Sequence, residues 1–533
     1  MFVKAVGVQR YKLAAAVLSL AAAMSVASEC YANNVLFNGA GSSAAFNLLA
    51  QAARISNGGT PPSGVCGNHN WTKSSGTATG DDGRSTSISK VGGSIWIVWN
   101  DTPEPNRTVC AYLNIDSVVG NRLFYAVPKG TLDLSKLTAG EAGDNIVPLL
   151  PADEKGGIPA NIIADLNGQP FNAAPTDIRP EDAKFATTRA LTPLLSGGLG
   201  YGPGPIGADI VSAFSTKFAQ VVNFNISGTD PITGKPVPAS TTLDVGAQIL
   251  LVLVNATDTV TGHLGNAAFN NVDRFVLAKV FDGTLTRTRD LIPSSGLADF
   301  PLHVLNREPL SGTFNTFEFC IPRSVAINTT QELGVNPALP NNNPLNLKDP
   351  HDTDATRQRV IGTGEMVSEL ASPSHADFIG YAFFSFGNVQ KLVSFGKYLA
   401  VDGVDPLYDH HSVSNGVLPT CTAPCPGVLT FPNIVNGSYP IWNVLRVATL
   451  SPTPSGVSAL VSAAQKEVAS IPEIVPISQL HVFRSHYLQA GVLPSNGHLK
   501  AEAGGDVGGA VFTVQADLDN ITDTGKELTG YRQ

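Results

Sequence analysis

Arg307 is followed by Ser311-Gly312-Thr313 within HVLNREPLSGTFNTFEF, residues 303–319. The apolar run His303–Leu305 reads as a strand that delivers the arginine, and Phe314 and Phe317 open the apolar face of a helix. A guanidinium presents a rigid fork of donors that matches an oxyanion. Ser311, Thr313 and the unpaired N–H groups of a helix start would complete a cage around it. The plainer reading of the same residues is an arginine paired to Glu308 beside an ordinary capped helix.

Two other stretches carry compatible chemistry. In NVLFNGAGSSAAFNLLAQAARI, residues 34–55, a short apolar run ends in Gly39-Ala40-Gly41-Ser42-Ser43, and a helix-spaced apolar pattern through Phe46, Leu49 and Ala53 follows. Glycine gives the turn its backbone freedom, the serines suit an N-cap, and the helix start favours an anion. In AAPTDIRPEDAKFA, residues 173–186, Asp177 stands before a turn into another helix. A carboxylate beside an anion site is consistent if the anion carries a proton, because an ionised aspartate only accepts hydrogen bonds. Hydrogen phosphate can donate one; sulfate at neutral pH cannot. Helix capping is the simpler role for Asp177.

Other constellations are weaker. Gly202-Pro-Gly204-Pro-Ile-Gly207 has GxGxxG spacing, but its prolines lack the N–H groups a dinucleotide phosphate needs. Asp409-His410-His411 with Cys421 and Cys425 offers metal-ligand types, yet a disulfide with surface histidines fits as well. Asp349, Asp352 and Asp354 form a loose acidic loop without the remainder of a calcium motif. There is no GxSxG elbow and no HExxH pair. No catalytic residues, metal or cofactor are expected, and the chain does not read as an enzyme.

These groups need elements to hold them. The 533 residues suffice for two lobes with long loops. Strands are expected at Ile95–Trp99, Val109–Leu113, Leu123–Val127, Ile249–Val254, His303–Leu305 and Val444–Ala448, with helices at 207–221, 271–281, 365–370 and 457–469. Alternating strands and helices predict an α/β protein with buried mixed sheets. Residues 58–93, 195–205 and 328–354 read as loop insertions, rich in Gly, Ser, Pro or Asn.

Lys4, Arg10 and Lys12 precede the apolar run Leu13–Ala27, which reads as a signal peptide cleaved after Ala32. The expected location is therefore periplasmic or secreted. Export permits disulfides. Cys66–Cys110 and Cys421–Cys425 are the expected pairs, leaving Cys320 as a buried thiol in an apolar run. With 43 acidic and 34 basic residues the net charge is −9, which argues against nucleic acid as the main partner while allowing a local anion site.

In this order, the pieces resemble the substrate-binding proteins of bacterial ABC phosphate transporters. The resemblance rests on Gly39–Ser43, on Asp116-Ser117-Val118-Val119-Gly120 as a second loop, on TDIRPEDA, and on Arg307 with Ser311–Thr313 as R-x-x-x-S-G-T. VDRFVLAKVFDGTLT, GTGEMVSEL with DFIGYAFFSF, and YPIWNVLRV look like later family stretches. Where that family has an acidic residue two places after the arginine, this chain has Pro309.

The resemblance implies the two-lobed periplasmic-binding-protein fold with two crossovers. Lobe I would hold residues 33–252 and 443–533, and lobe II residues 253–442. It implies that Ser43, the N–H of Ala44, and Ser117 bind ligand oxygens. Asp177 would accept the ligand proton, and Arg307, Ser311, Gly312 and Thr313 would grip from the other lobe. The implied partners are inorganic phosphate and an ABC permease, for a monomeric protein. A phosphatase-like hydrolase or a surface protein on the same scaffold is the alternative.

Overall fold

The computed structural model describes residues 34–54, 65–81, 90–103, 106–147, 150, 157–184, 224–281, 284–291, 298–307, 310–321, 347–348, 354–360, 362–420, 429–467, 473–484 and 511–513. The signal peptide, the GxGxxG stretch, the helix expected at 207–221, Glu308, and the pair Cys421–Cys425 lie outside them.

The expected strand Val35–Phe37 becomes β1, Asn34–Gly41, whose buried end carries the Gly-Ala-Gly run. A single 3-10 turn, Ser43–Ala45, leads into helix α1, Phe46–Arg54. Among the described residues of the stretch 58–93, expected to be a loop insertion, strand predominates. Most of its described part forms β2, His69–Asp81, which pairs antiparallel with β3, Lys90–Trp99. Its Thr and Trp residues suit a pleated surface, and loop-like composition does not prevent pairing when a partner strand buries one face.

β4, Thr108–Asn114, runs parallel to β1. The disulfide Cys66–Cys110 fastens the segment before β2 to β4, matching the expected pair. Helix α2, Ser117–Tyr125, follows and corrects the strand expected at Leu123–Val127: a short apolar run fits a helix buried on all sides as well as it fits a strand, and each residue of α2 is buried. β5, Thr131–Asp133, pairs with β2, and β6, Ala173–Thr176, lies parallel to β1.

β7, Ser240–Asn255, spans 16 residues, about 50 Å of extended chain. It is the strand common to both halves of the sheet. Its first part, Ser240–Ile249, pairs with β14, Trp442–Leu450, in the sheet that contains β6, β1, β4 and β3. Its last part, Leu250–Asn255, pairs with β12, Phe378–Phe383, and β13, Gly396–Val401. There the sheet continues through β9, His303–Arg307, and β11, Thr356–Val360, which are parallel to each other, and the short strands β8, Asn271–Val272, and β10, Leu347–Lys348, pair with β13 and β11.

Helices flank both halves. α3, Arg274–Phe281, α4, Gly312–Cys320, and α5, Gly362–Leu370, belong to the second half. α6, Ser455–Glu467, packs with α1 in the first. The protein is a mixed α/β fold built as two halves, or lobes, of one sheet that share β7.

One continuous apolar core joins the halves along β7, from Phe37 and Leu49 through Leu251 to Leu305 and Phe317. A second core covers the opposite face of the first sheet and takes in Leu310 and Phe314 from the second half. The start of α4 is thus embedded in the first lobe.

Candidate functional site

The expected ligand-binding residues stand where parallel strands end. β1, β4 and β6 share one carboxyl edge, and their ends lead to Ser42–Ala44, to Asp116–Ser117 and to Asp177. In the other half β9 ends at Arg307, and β11 leads to Gly362–Thr363. The crevice beyond the carboxyl ends of parallel strands is where open α/β sheets place ligands, since helix starts with unpaired N–H groups gather there.

On the first lobe, Ser42 caps the turn: its Oγ accepts from the Ala44 N–H at 3.0 Å, so that N–H is already engaged. The Ser42 carbonyl accepts from the Tyr112 hydroxyl at 2.6 Å. Asp177 is buried, and its Oδ1 accepts a short hydrogen bond from the Ser117 hydroxyl. The Ser42 hydroxyl bonds to it as well. The Asn443 amide donates to the Asp177 carbonyl and, at 3.2 Å, to Thr316 Oγ1 of α4. Burial pushes the Asp177 carboxyl above the ordinary carboxylate range, while the Ser117 hydrogen bond and the nearby Arg307 charge pull it down.

On the second lobe, Ser311 is the N-cap of α4 and accepts from the Phe314 N–H at 3.3 Å. The Arg307 guanidinium is 1% exposed. Its Nη1 donates to Thr363 Oγ1 at 3.0 Å and to Thr313 Oγ1 at 3.4 Å. A carboxylate partner from the other half is Asp116, whose Oδ1 lies 3.3 Å from Arg307 Nη2.

The halves meet closely here. Ser43 Oγ lies 3.2 Å from Thr363 Oγ1. The Val118 N–H donates to the Leu310 carbonyl at 3.4 Å. A Cβ built on Gly312 would run into the Asp177 carboxylate and would meet Ser117 Oγ at 2.6 Å. A residue without a side chain is therefore required where α4 begins.

Ser43, Ser117, Asp177, Arg307 and Ser311–Thr313 are thus brought to one largely buried junction between the two halves. Ser42 is the N-cap that the serine pair suggested, and Asp116 belongs to the second loop although no role was expected for it; Thr363 and Asn443 were not expected at the site. Thr363 had a legible signal, because Gly362-Thr363-Gly364 opens a helix as Ser311-Gly312-Thr313 does. Gly362 has φ +75°, a conformation that favours glycine. Asn443 lies within a strand and gave no signal.

Away from the crevice, His411 Nδ1 sits 2.7 Å from Asp405 Oδ2, and among the described residues no cluster of three metal-ligating side chains occurs. Among them too, no helix is long and apolar enough to cross a membrane.

The contacts between the halves define the class: a mixed α/β protein with a buried polar cluster where the two halves of its sheet meet. The chain matches no protein-family model and no curated protein sequence. Among solved structures it is similar to a high-affinity periplasmic phosphate-binding protein with bound phosphate, at 12% identity over 88% of this chain and 96% of that one, with a TM-score of 0.37. It is similar to an ABC-type phosphate transport receptor from Vibrio cholerae at 15% identity over 47% and 78% of the two chains, TM-score 0.26. A phosphate-binding protein from Stenotrophomonas maltophilia is 11% identical over 70% and 84%, TM-score 0.34. Likeness at this level assigns neither ligand nor activity.

Proposed function

We propose that this protein is an exported solute-binding protein that holds inorganic phosphate, or a related protonated oxyanion, between its lobes. It would deliver the anion to an ABC-type permease, without covalent chemistry. The observation that carries the reading is the meeting of Arg307, Thr313 and Ser311 from one lobe with Ser43, Ser117 and Asp177 from the other at the carboxyl ends of parallel strands.

Each group has a role in this reading. The Arg307 guanidinium supplies charge-assisted donors. The hydroxyls of Ser43, Ser311 and Thr313 and the N–H groups at the helix starts other than that of Ala44 supply neutral ones, while the Ser117 hydroxyl donates to Asp177 and holds that carboxylate in place. Asp177 accepts the anion's own proton. Residues 33–252 with 443–533 act as one lobe and 253–442 as the other, and closure about β7 is stabilised by contacts made with ligand in place.

Calorimetric titration with phosphate, arsenate and sulfate tests the reading. Phosphate and arsenate are expected to bind and sulfate to bind at least tenfold more weakly. Arg307→Ala should lose at least tenfold in phosphate affinity, since a hydrogen bond to a charged group contributes about 1.5–3 kcal/mol. Absence of binding by all three oxyanions overturns the function, and unchanged affinity in folded Arg307→Ala overturns the arginine's role.

A further inference from the structure

Asp116 occupies the N-cap position of α2, yet its side chain makes no capping hydrogen bond there. Aspartate at an N-cap ordinarily accepts from the N–H groups of the first turn. Here the carboxylate instead reaches across the crevice to Arg307 Nη2 at 3.3 Å. The same guanidinium donates through Nη1 to Thr363, and Thr363 in turn meets Ser43 of the opposite lobe at 3.2 Å. Arg307 is buried and Asp116 is 12% exposed, so the pair is shielded from water and from salt screening.

We infer that Asp116 and Thr363 form an interlobe latch: the Asp116 carboxylate acts as a built-in counter-anion that holds Arg307 and keeps the lobes together before any ligand arrives. An incoming oxyanion must take the guanidinium from Asp116, so the latch opposes ligand affinity. The chemistry is plain competition. A carboxylate and a phosphate oxygen address the same planar donors, and a guanidinium that leaves one for the other gains the difference between them. The opposite role, in which Asp116 only orients Arg307 for the anion, predicts the reverse effect on affinity. The competition rests on the anion-binding reading; closure by the latch does not.

The test uses the full mature chain, dialysed free of phosphate, with spin labels on exposed positions of the two lobes. The wild type is expected to give a single short interlobe distance. Asp116→Asn and, separately, Thr363→Val are expected to raise the open population at least tenfold, with far-ultraviolet circular dichroism unchanged. An open wild type, or folded variants with the wild-type distance, overturns the latch. Titration with inorganic phosphate supplies the second arm. Asp116→Asn is expected to bind phosphate at least tenfold more tightly than wild type, and equal or weaker binding overturns the competition. If neither form binds phosphate, the anion-binding reading fails and the competition with it, while the distances still decide the latch.

Discussion

At the scale of the residue, the proposed selectivity turns on Asp177. Its carboxyl is buried and accepts from Ser117 and Ser42, and burial holds it above the usual carboxylate range. While ionised it can accept a proton from hydrogen phosphate and faces lone pairs on sulfate. Once protonated it donates to either anion. Discrimination against sulfate is therefore full above the folded-state value and fades as pH falls through it, beginning above the ordinary value of 3.8. Competition titrations of phosphate against sulfate across pH check this, with the gap expected to shrink at least tenfold at the acid end. Asp177→Asn should narrow the gap at neutral pH and remove its pH dependence, because an amide can turn N–H₂ toward sulfate. A wild-type ratio independent of pH would show that Asp177 serves the fold and not the anion.

At the scale of the element, the start of α4 is the feature most sensitive to a single methyl group. Gly312 packs against Asp177 and Ser117, atoms of the opposite lobe. Gly312→Ala places a Cβ against a carboxylate that is itself fixed by Ser117 and Ser42, so the neighbour has little room to yield. Overpacking of this kind costs about 1–3 kcal/mol. That strain falls on the packing of α4 against the first half, where Leu310 and Phe314 are also buried. The expected outcome is a 10- to 100-fold loss of phosphate affinity, on the order of that strain, with a lower thermal transition because the same segment is anchored in the core of the first half. Calorimetry and thermal denaturation separate the two effects. A large drop in thermal stability at unchanged affinity would locate the strain within one lobe instead.

At the scale of the molecule, Glu473 ties the segment before β15, Ile474–Pro476, to the second half. Its Oε1 accepts from the Phe386 N–H at 2.7 Å. Burial pushes its carboxyl from an ordinary 4.5 up to about 7. The folded state therefore holds a proton that the unfolded chain releases in this window, and stability falls as pH rises from about 4.5 to about 7 and levels off above. One pKa unit corresponds to about 1.4 kcal/mol, so the loss is on the order of 3 kcal/mol at most. Glu473→Gln keeps an oxygen acceptor for Phe386 and should flatten this part of the curve. Denaturant unfolding at pH 4.5, 6 and 8, chosen to bracket that window, checks it. An unchanged slope in Glu473→Gln would assign the pH dependence to other groups.

What the sequence determined by itself was local. Strands at Ile95–Trp99, Ile249–Val254 and Val444–Ala448 were legible because burial on both faces selects unbroken β-branched and aromatic runs, and all three lie inside observed strands. The helix start after Arg307 was legible because capping chemistry depends on neighbours a few residues apart. The Cys66–Cys110 pairing was legible because the two cysteines bracket one Gly/Ser-rich stretch. Leu123–Val127 was misread because a short apolar run has no period to separate helix from strand. The stretch at 58–93 was misread as a loop because strand pairing is a property of the partner as much as of the residues. Tertiary structure alone decided who faces whom across the crevice. Asp116 lies 191 residues from Arg307, and Ser43 lies 320 from Thr363. Such contacts leave no periodic or spacing signal in one chain, because their cause is the register of β7 and the strands on either side of it, which only the folded sheet fixes.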